Sequence, residues 1–211
     1  MNQLRAAYLG AGTAAVGLLS RRELGDRWSQ PSVLPQLEVG ELAGHLARSI
    51  LQVEWFLDMP EPDPPVITAA EYYRPMVDSA DPDAQVNVGI RQRAATTAAG
   101  GWARLYLDAS KVLDRLAERL PEVPPERRVL AFAGRALLID EYLKTRLVEL
   151  TVHIDDLARS LEVPMPPLPE QATATAIAVM VDTARARHGD QAVLQALTRR
   201  ERDQAEALRV L

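Results

Sequence analysis

Apolar residues recur along this chain at helical rather than strand spacing, in long segments punctuated by prolines. The spacing predicts helices over residues 2–24, 39–58, 86–120, 140–160, 170–188 and 190–210, with ends uncertain by ~2–4 residues, and almost no strand-like alternation. The fold class is therefore all-α. Pro31 and Pro35 bracket the first connection, and Pro60, Pro62, Pro64, Pro65, Pro75 and Pro82 crowd the second, which leaves room only for a short helical turn at Glu71–Tyr73. This second connection runs for more than twenty residues, whereas antiparallel bundle neighbours are usually joined by ~2–8. A connection of that length lets the next helix start at the far end of the bundle. The second and third helices are thus expected to run parallel, in a four-helix bundle with one long crossover. The stretch EVPMPPLPE, Glu162–Glu170, reads as a stiff extended break before two short C-terminal helices. The expected organisation is a helical bundle over residues 1–163 and an extension over 164–211, packed on the bundle or on a partner through the amphipathic stretch 199–211.

Helical wheels at ~100° per residue divide two of these helices into three faces each. In the helix over 140–160, Leu143, Leu147, Leu150, Ile154, Leu157 and Leu161 form the apolar stripe, and Lys144, Thr151, Asp155 and Glu162 form the natural solvent side. The third face carries Tyr142, Arg146, Glu149, His153, Asp156 and Ser160, bounded by a second apolar edge at Val148 and Val152. In the helix over 39–58 the apolar stripe is Leu42, Leu46, Ile50, Val53 and Leu57, with Ala47, Glu54 and Asp58 assigned to water. Glu41, His45, Arg48, Ser49 and Gln52 make its third face, beside Leu51 and Trp55.

A polar band between apolar edges is either a second wet surface, stapled by an Arg146–Glu149 pair worth ~0.2–0.5 kcal/mol, or half of a polar interior. Two such bands in one bundle favour the interior, where unpaired charges are costly unless they pair or bind a metal. Glu149 and His153, one turn apart, can offer an oxygen and a nitrogen to one ion, and His45 can add a second imidazole from across the bundle. Three protein ligands leave coordination positions open, as catalytic sites do. Zinc is the first expectation, with nickel, manganese or ferrous iron compatible with the same donors. The small-residue run AATTAAGG, Ala94–Gly101, serves either close helix packing or a pocket. Asn87 and Arg91, one turn apart, are candidates for contacting an anionic cofactor or substrate. His188 and Gly189 read as helix-capping chemistry, Asp140 as an N-cap, and Trp28, Trp55 and Trp102 as core or pocket-wall aromatics.

Composition narrows the chemistry. A net charge of −5 with no basic cluster excludes a general nucleic-acid surface. The weakly apolar stretch at residues 6–20, rich in Gly and Ala, reads as an ordinary first helix, and no apolar run reaches the ~18 residues of a membrane span, so a soluble cytoplasmic protein is expected. Cysteine is absent, so a nucleophilic thiol has to arrive with a cosubstrate.

The segments WSQPSVLPQLEVGELAGHLARSI, Trp28–Ile50, and DEYLKTRLVELTVHIDDLARSLEVP, Asp140–Pro164, together resemble the N-terminal domain of the mycothiol-dependent maleylpyruvate isomerase family, a branch of the DinB-like metal-dependent bundles. The resemblance implies a zinc-type ion on His45, Glu149 and His153, with a low-molecular-weight thiol such as mycothiol held on it as a thiolate. The thiolate would add to a small electrophile, giving either S-transfer or addition, rotation and elimination in a cis–trans isomerisation. Arg146 would contact an anion or support the ligands, and Asp156 would orient His153. The isomerase proper carries a further C-terminal domain, whereas here fewer than fifty residues follow Pro164 and read as two helices. The alternative is a non-catalytic metal-binding bundle acting as an interaction module. A homodimer through bundle faces fits either case.

Overall fold

The computed structural model describes residues 2–75, 84–131, 134–201, 204 and 208. Helix α1, Gln3–Leu19, starts where the Asn2 side chain accepts from the Arg5 amide. It ends at Ser20, and a separate short helix α2, Arg22–Asp26, follows, so the first helix is shorter than its apolar pattern suggests. Helix α3, Val39–Asp58, has the predicted limits and opens with a reciprocal capping box between Glu38 and Glu41. The crossover then carries strand β1, Val66–Ile67, and helix α4, Ala69–Tyr73.

The single helix expected over residues 86–120 is two: α5, Gln85–Ala98, and α6, Trp102–Arg119. The break falls at Gly100–Gly101, and Gly101 has φ +78°, a backbone conformation that ends a helix and suits only a residue without Cβ. After a single 3-10 turn at Leu120–Glu122, strands β2, Arg128–Ala131, and β3, Arg135–Leu138, lead into helix α7, Ile139–Leu161. Helices α8, Glu170–His188, and α9, Asp190–Thr198, complete the described elements. The helix expected to reach residue 210 stops at Thr198, where Arg199 turns extended, and most of the remainder of that segment lies outside the described residues.

Hydrogen bonds fix the directions of the bundle helices. Arg5 Nη1 donates to the Leu120 carbonyl and Trp102 Nε1 to the Leu19 carbonyl, so α1 and α6 are antiparallel. Arg115 and Arg119 pair with Glu54 and Asp58, each a turn further along, so α3 and α6 are parallel. His45 meets His153, Gln52 meets Arg146 and Phe56 meets Tyr142, which makes α7 antiparallel to α3. The α6 half of the expected third helix thus runs parallel to α3, whereas the α5 half runs antiparallel: Gly44, early in α3, meets Ala94 and Ala98, late in α5, and Gln52, late in α3, shares the wall of one cavity with Val86 and Ile90, early in α5.

The leucine stripes of α3 and α7 are buried in one core, which also includes Ala172, Ala176 and Val179 of α8. Ala47 is buried too, contrary to its place on the solvent side of the wheel, because α5 and α6 cover that side of α3. The unpredicted element is a small sheet of order β1-β3-β2. β1 pairs parallel with β3, Val66 opposite Ala136, and β2 pairs antiparallel, Val129 opposite Leu137. These strands are two and four residues long, too short for an alternating pattern to register in sequence. Asp140 is not the N-cap of α7, a position held by Leu138; it lies in the first turn and binds Arg5 and Asn2 instead. No helix among the described residues is long and apolar enough to cross a membrane.

Candidate metal centre

His45 comes from the second turn of α3, Glu149 and His153 from the middle of α7, and antiparallel packing brings them together. His45 Nε2 lies 3.1 Å from His153 Nε2, and Glu149 Oε2 lies 3.4 Å from His45 Nε2 and 3.5 Å from His153 Nε2. Bonds of ~2.0–2.1 Å in a tetrahedral shell place neighbouring donors roughly 3.3 Å apart, so this triangle has the right edges for one small divalent ion. The donor set of two imidazoles and a carboxylate suits the same ions. These residues form a group that could hold a metal.

Two of the three ligand candidates are oriented from behind. His153 Nδ1 is 2.9 Å from Asp156 Oδ2, which fixes the tautomer with Nε2 facing Glu149 and His45. Glu149 Oε1 accepts from the Tyr73 hydroxyl at 2.8 Å, leaving Oε2 for the triangle. Burial opposes a charge on Glu149, but hydrogen bonds from His153 and His45 and the Arg146 guanidinium outweigh it and hold the carboxyl well below its ordinary range. Burial likewise opposes a charge on His153, yet Asp156 and Glu149 push it up to about 9. His45 is lowered, chiefly by burial. The metal-free group thus holds a carboxylate, an imidazolium and a neutral imidazole. Tyr73 is raised, first by burial and then by the Glu149 charge, and so remains an O–H donor.

Beside the triangle is a cavity of about 100 Å³. Helix α3 lines it with His45, Arg48 and Gln52, α4 with Tyr72, α5 with Val86, Ile90 and Arg93, and α7 with Arg146 and Glu149. Asn87 and Arg91 are not among these lining residues; the helix presents the Val86, Ile90 and Arg93 side instead. Arg146 is buried and donates to Gln52 Oε1 at 3.2 Å and Thr145 Oγ1 at 3.1 Å, with its guanidinium 5.0 Å from the centre of the Tyr142 ring. The Arg146–Glu149 ion pair that a wet-surface reading of this band would call for does not form. Arg48 donates to Thr97 Oγ1 and lies over Trp55, and it too makes no ion pair among the described residues. Burial and the neighbouring Arg93 charge lower the Arg48 guanidinium from its ordinary value. One wall of the cavity therefore concentrates positive charge.

The small-residue run on α5 serves packing. A Cβ on Gly44 of α3 would lie 2.5 Å from the Ala94 carbonyl and 3.1 Å from the Ala98 Cβ, so the two helices meet backbone to side chain there. Trp55 is 45% exposed and is not a core aromatic, whereas Trp28 packs against Gly40 and Trp102 bonds the Leu19 carbonyl. His188 ends α8 and Gly189 caps it, as their spacing suggests. Tyr72, Tyr73 and Arg93 were not legible as site residues. The signal that could have placed the tyrosines is the capping box Thr68-x-x-Glu71, which marks the start of α4 inside the proline-rich connection.

A four-helix bundle with one crossover and an inward His, Glu, His group defines a DinB-like helical bundle with a candidate metal-ligand triad. Residues 9–158 match the mycothiol maleylpyruvate isomerase N-terminal domain, and the chain belongs to that family. No curated protein and no solved structure matched the chain.

Proposed function

We propose that this protein is a metal-dependent enzyme that activates a low-molecular-weight thiol, of the mycothiol type, for S-transfer to, or isomerisation of, a small electrophile. The observation that carries this reading is the donor triangle of His45, Glu149 and His153 beside a cavity with an arginine-rich wall. A bound divalent metal, zinc first among the candidates, would act as a Lewis acid and favour the thiolate form of a thiol. His45, Glu149 and His153 would hold it, and Asp156 would keep the His153 lone pair aimed inward. Arg146 and Arg48, which form no ion pair among the described residues, would bind an anionic group on the thiol or the electrophile.

The cavity's size limits what enters. About 100 Å³ is well below the ~300–1,000 Å³ of pockets that enclose whole small ligands, so only the reacting ends of the two substrates would be enclosed. An open cavity against two of the three donors favours an enzyme over a closed metal-binding interaction module, whose site would be filled by protein.

The test is metal content by elemental mass spectrometry on wild-type protein, His153→Ala and Glu149→Ala, followed by thiol-loss assays with panels of electrophiles. Near-stoichiometric metal in wild type and its loss in both variants are expected, with thiol consumption that depends on the metal. Wild-type protein that takes up no zinc, nickel, manganese or iron when each is supplied would refute the reading.

A further inference from the structure

The carboxylate of Glu149 is held from a part of the chain far away in sequence. Tyr73, buried, donates its hydroxyl to Glu149 Oε1 at 2.8 Å and lies 3.0 Å from the Thr145 carbonyl one turn earlier on α7. The tyrosine sits at the end of α4, a helix of five residues. A helix that short has no stability of its own, so its position is set by what grips its ends. At the start, the Ala69 amide donates to Glu141 Oε2 of α7 at 2.8 Å. At the end, Arg187 Nη2 donates to the Tyr73 carbonyl at 2.7 Å and Arg187 Nε to the Arg74 carbonyl at 3.1 Å, satisfying acceptors that the last turn of a helix leaves open. Arg187 belongs to the last turn of α8, beyond the matched residues 9–158.

We propose that Tyr73 is a positioning residue for Glu149, and that Arg187 acts on the same carboxylate by fixing Tyr73, so that α8 tunes the metal centre from outside the matched domain. This inference rests on the metal-centre reading above. With Oε1 tied to Tyr73, the carboxylate presents Oε2 alone to the two imidazoles. Without the hydroxyl it is free to rotate, or to offer both oxygens. The neighbouring Arg185 provides an internal control, because it pairs with Asp182 and Asp190 on α8 and α9 and makes no hydrogen bond or ion pair with α4 among the described residues.

The experiment is zinc affinity by competition with a chromophoric chelator, together with the visible absorption of the cobalt-loaded protein, for wild type, Tyr73→Phe, Arg187→Gln, Arg185→Gln and the Tyr73→Phe/Arg187→Gln double variant. Partners that orient a metal ligand are typically worth ~10–100-fold in affinity, so Tyr73→Phe should weaken zinc binding about tenfold or more and alter the cobalt spectrum. Arg187→Gln should weaken binding in the same sense by a smaller factor, and should add nothing in the Tyr73→Phe background. Arg185→Gln should match wild type. The proposal fails if Tyr73→Phe binds zinc within about twofold of wild type with an unchanged spectrum, since that is far below the effect of an orienting partner. It also fails if Arg187→Gln has the same effect in both backgrounds, or lowers only the melting temperature. Should Tyr73→Phe prove insoluble, Arg187→Gln against Arg185→Gln decides alone. Wild-type protein that binds no metal overturns this inference and the metal-centre reading together, whereas normal binding by wild type and by both single variants overturns this inference only.

Discussion

Loading the site with metal should release close to one proton at pH 7.5, and the proton should come from His153. Both imidazoles must be neutral at the nitrogen that binds, and Glu149 must be ionised. In the metal-free protein Glu149 is already a carboxylate and His45 is already neutral. His153, pushed up to about 9 by Asp156 and Glu149 against the effect of burial, still carries its proton. Two histidines at the ordinary value of about 6.5 would instead release about 0.2 proton in total at this pH. Calorimetric titration of zinc in buffers of different ionisation enthalpy measures the number directly. The apparent affinity should rise about tenfold per pH unit from near neutrality and level off above about pH 9. Asp156→Asn removes the largest support for the His153 proton, so the count should fall in that variant; a contribution from metal-bound water would stay. A wild-type count near 0.2, or equal counts in wild type and Asp156→Asn, would refute the charge assignment. The same shift affects the fold without metal. Because the folded value of His153 lies above its unfolded value, the proton's stabilisation is complete below about pH 6.5 and is lost as pH rises through about 9.

Three further outcomes separate packing from surface effects. Gly44→Ala gains ~1 kcal/mol in helix propensity but overpacks α3 against the Ala94 carbonyl at a cost of ~1–3 kcal/mol, so the melting temperature should fall by a few degrees; a rise would show that α5 yields freely. Arg5→Met removes a buried guanidinium that bonds Asp140 and the carbonyls of Leu120 and Val123, and should cost about 3 kcal/mol in urea denaturation, with a loss under 1 kcal/mol counting against its role. Trp55→Ala should change stability by less than about 1 kcal/mol, while Trp28→Ala should cost several; equal effects would contradict the exposure of Trp55.

The long helices were readable because each repeats its apolar positions over many turns, and α3 and α8 have the limits that pattern predicts. What the pattern does not encode is how many neighbours a helix has. Ala47 and Glu54 share the outward side of the α3 wheel, yet Ala47 is fully buried and Glu54 pairs with Arg115, because α5 and α6 both pack on that side. A wheel gives the angle of a residue; the packing partners decide whether that angle faces water. The glycine pair at 100–101 was legible as a cost inside a helix, and the chain avoids that cost by ending α5 and starting α6.

The candidate site divides along the same line. His45, Glu149 and His153 lie on two strongly periodic helices, and polar residues on a third face within an otherwise apolar bundle are conspicuous. Tyr73 has no such frame. It stands 76 positions from Glu149, in a connection where prolines dominate the pattern, on a helix that is ordered by Glu141 at one end and Arg187 at the other. The same connection places Tyr72 in the cavity wall, so a segment that sequence alone reads as a crossover supplies both a wall of the cavity and an orienting bond to the carboxylate. The length of the crossover, which the sequence pattern assigns to a parallel third helix, is thus what allows α4 to fold back onto α7 and reach the site before α5 begins.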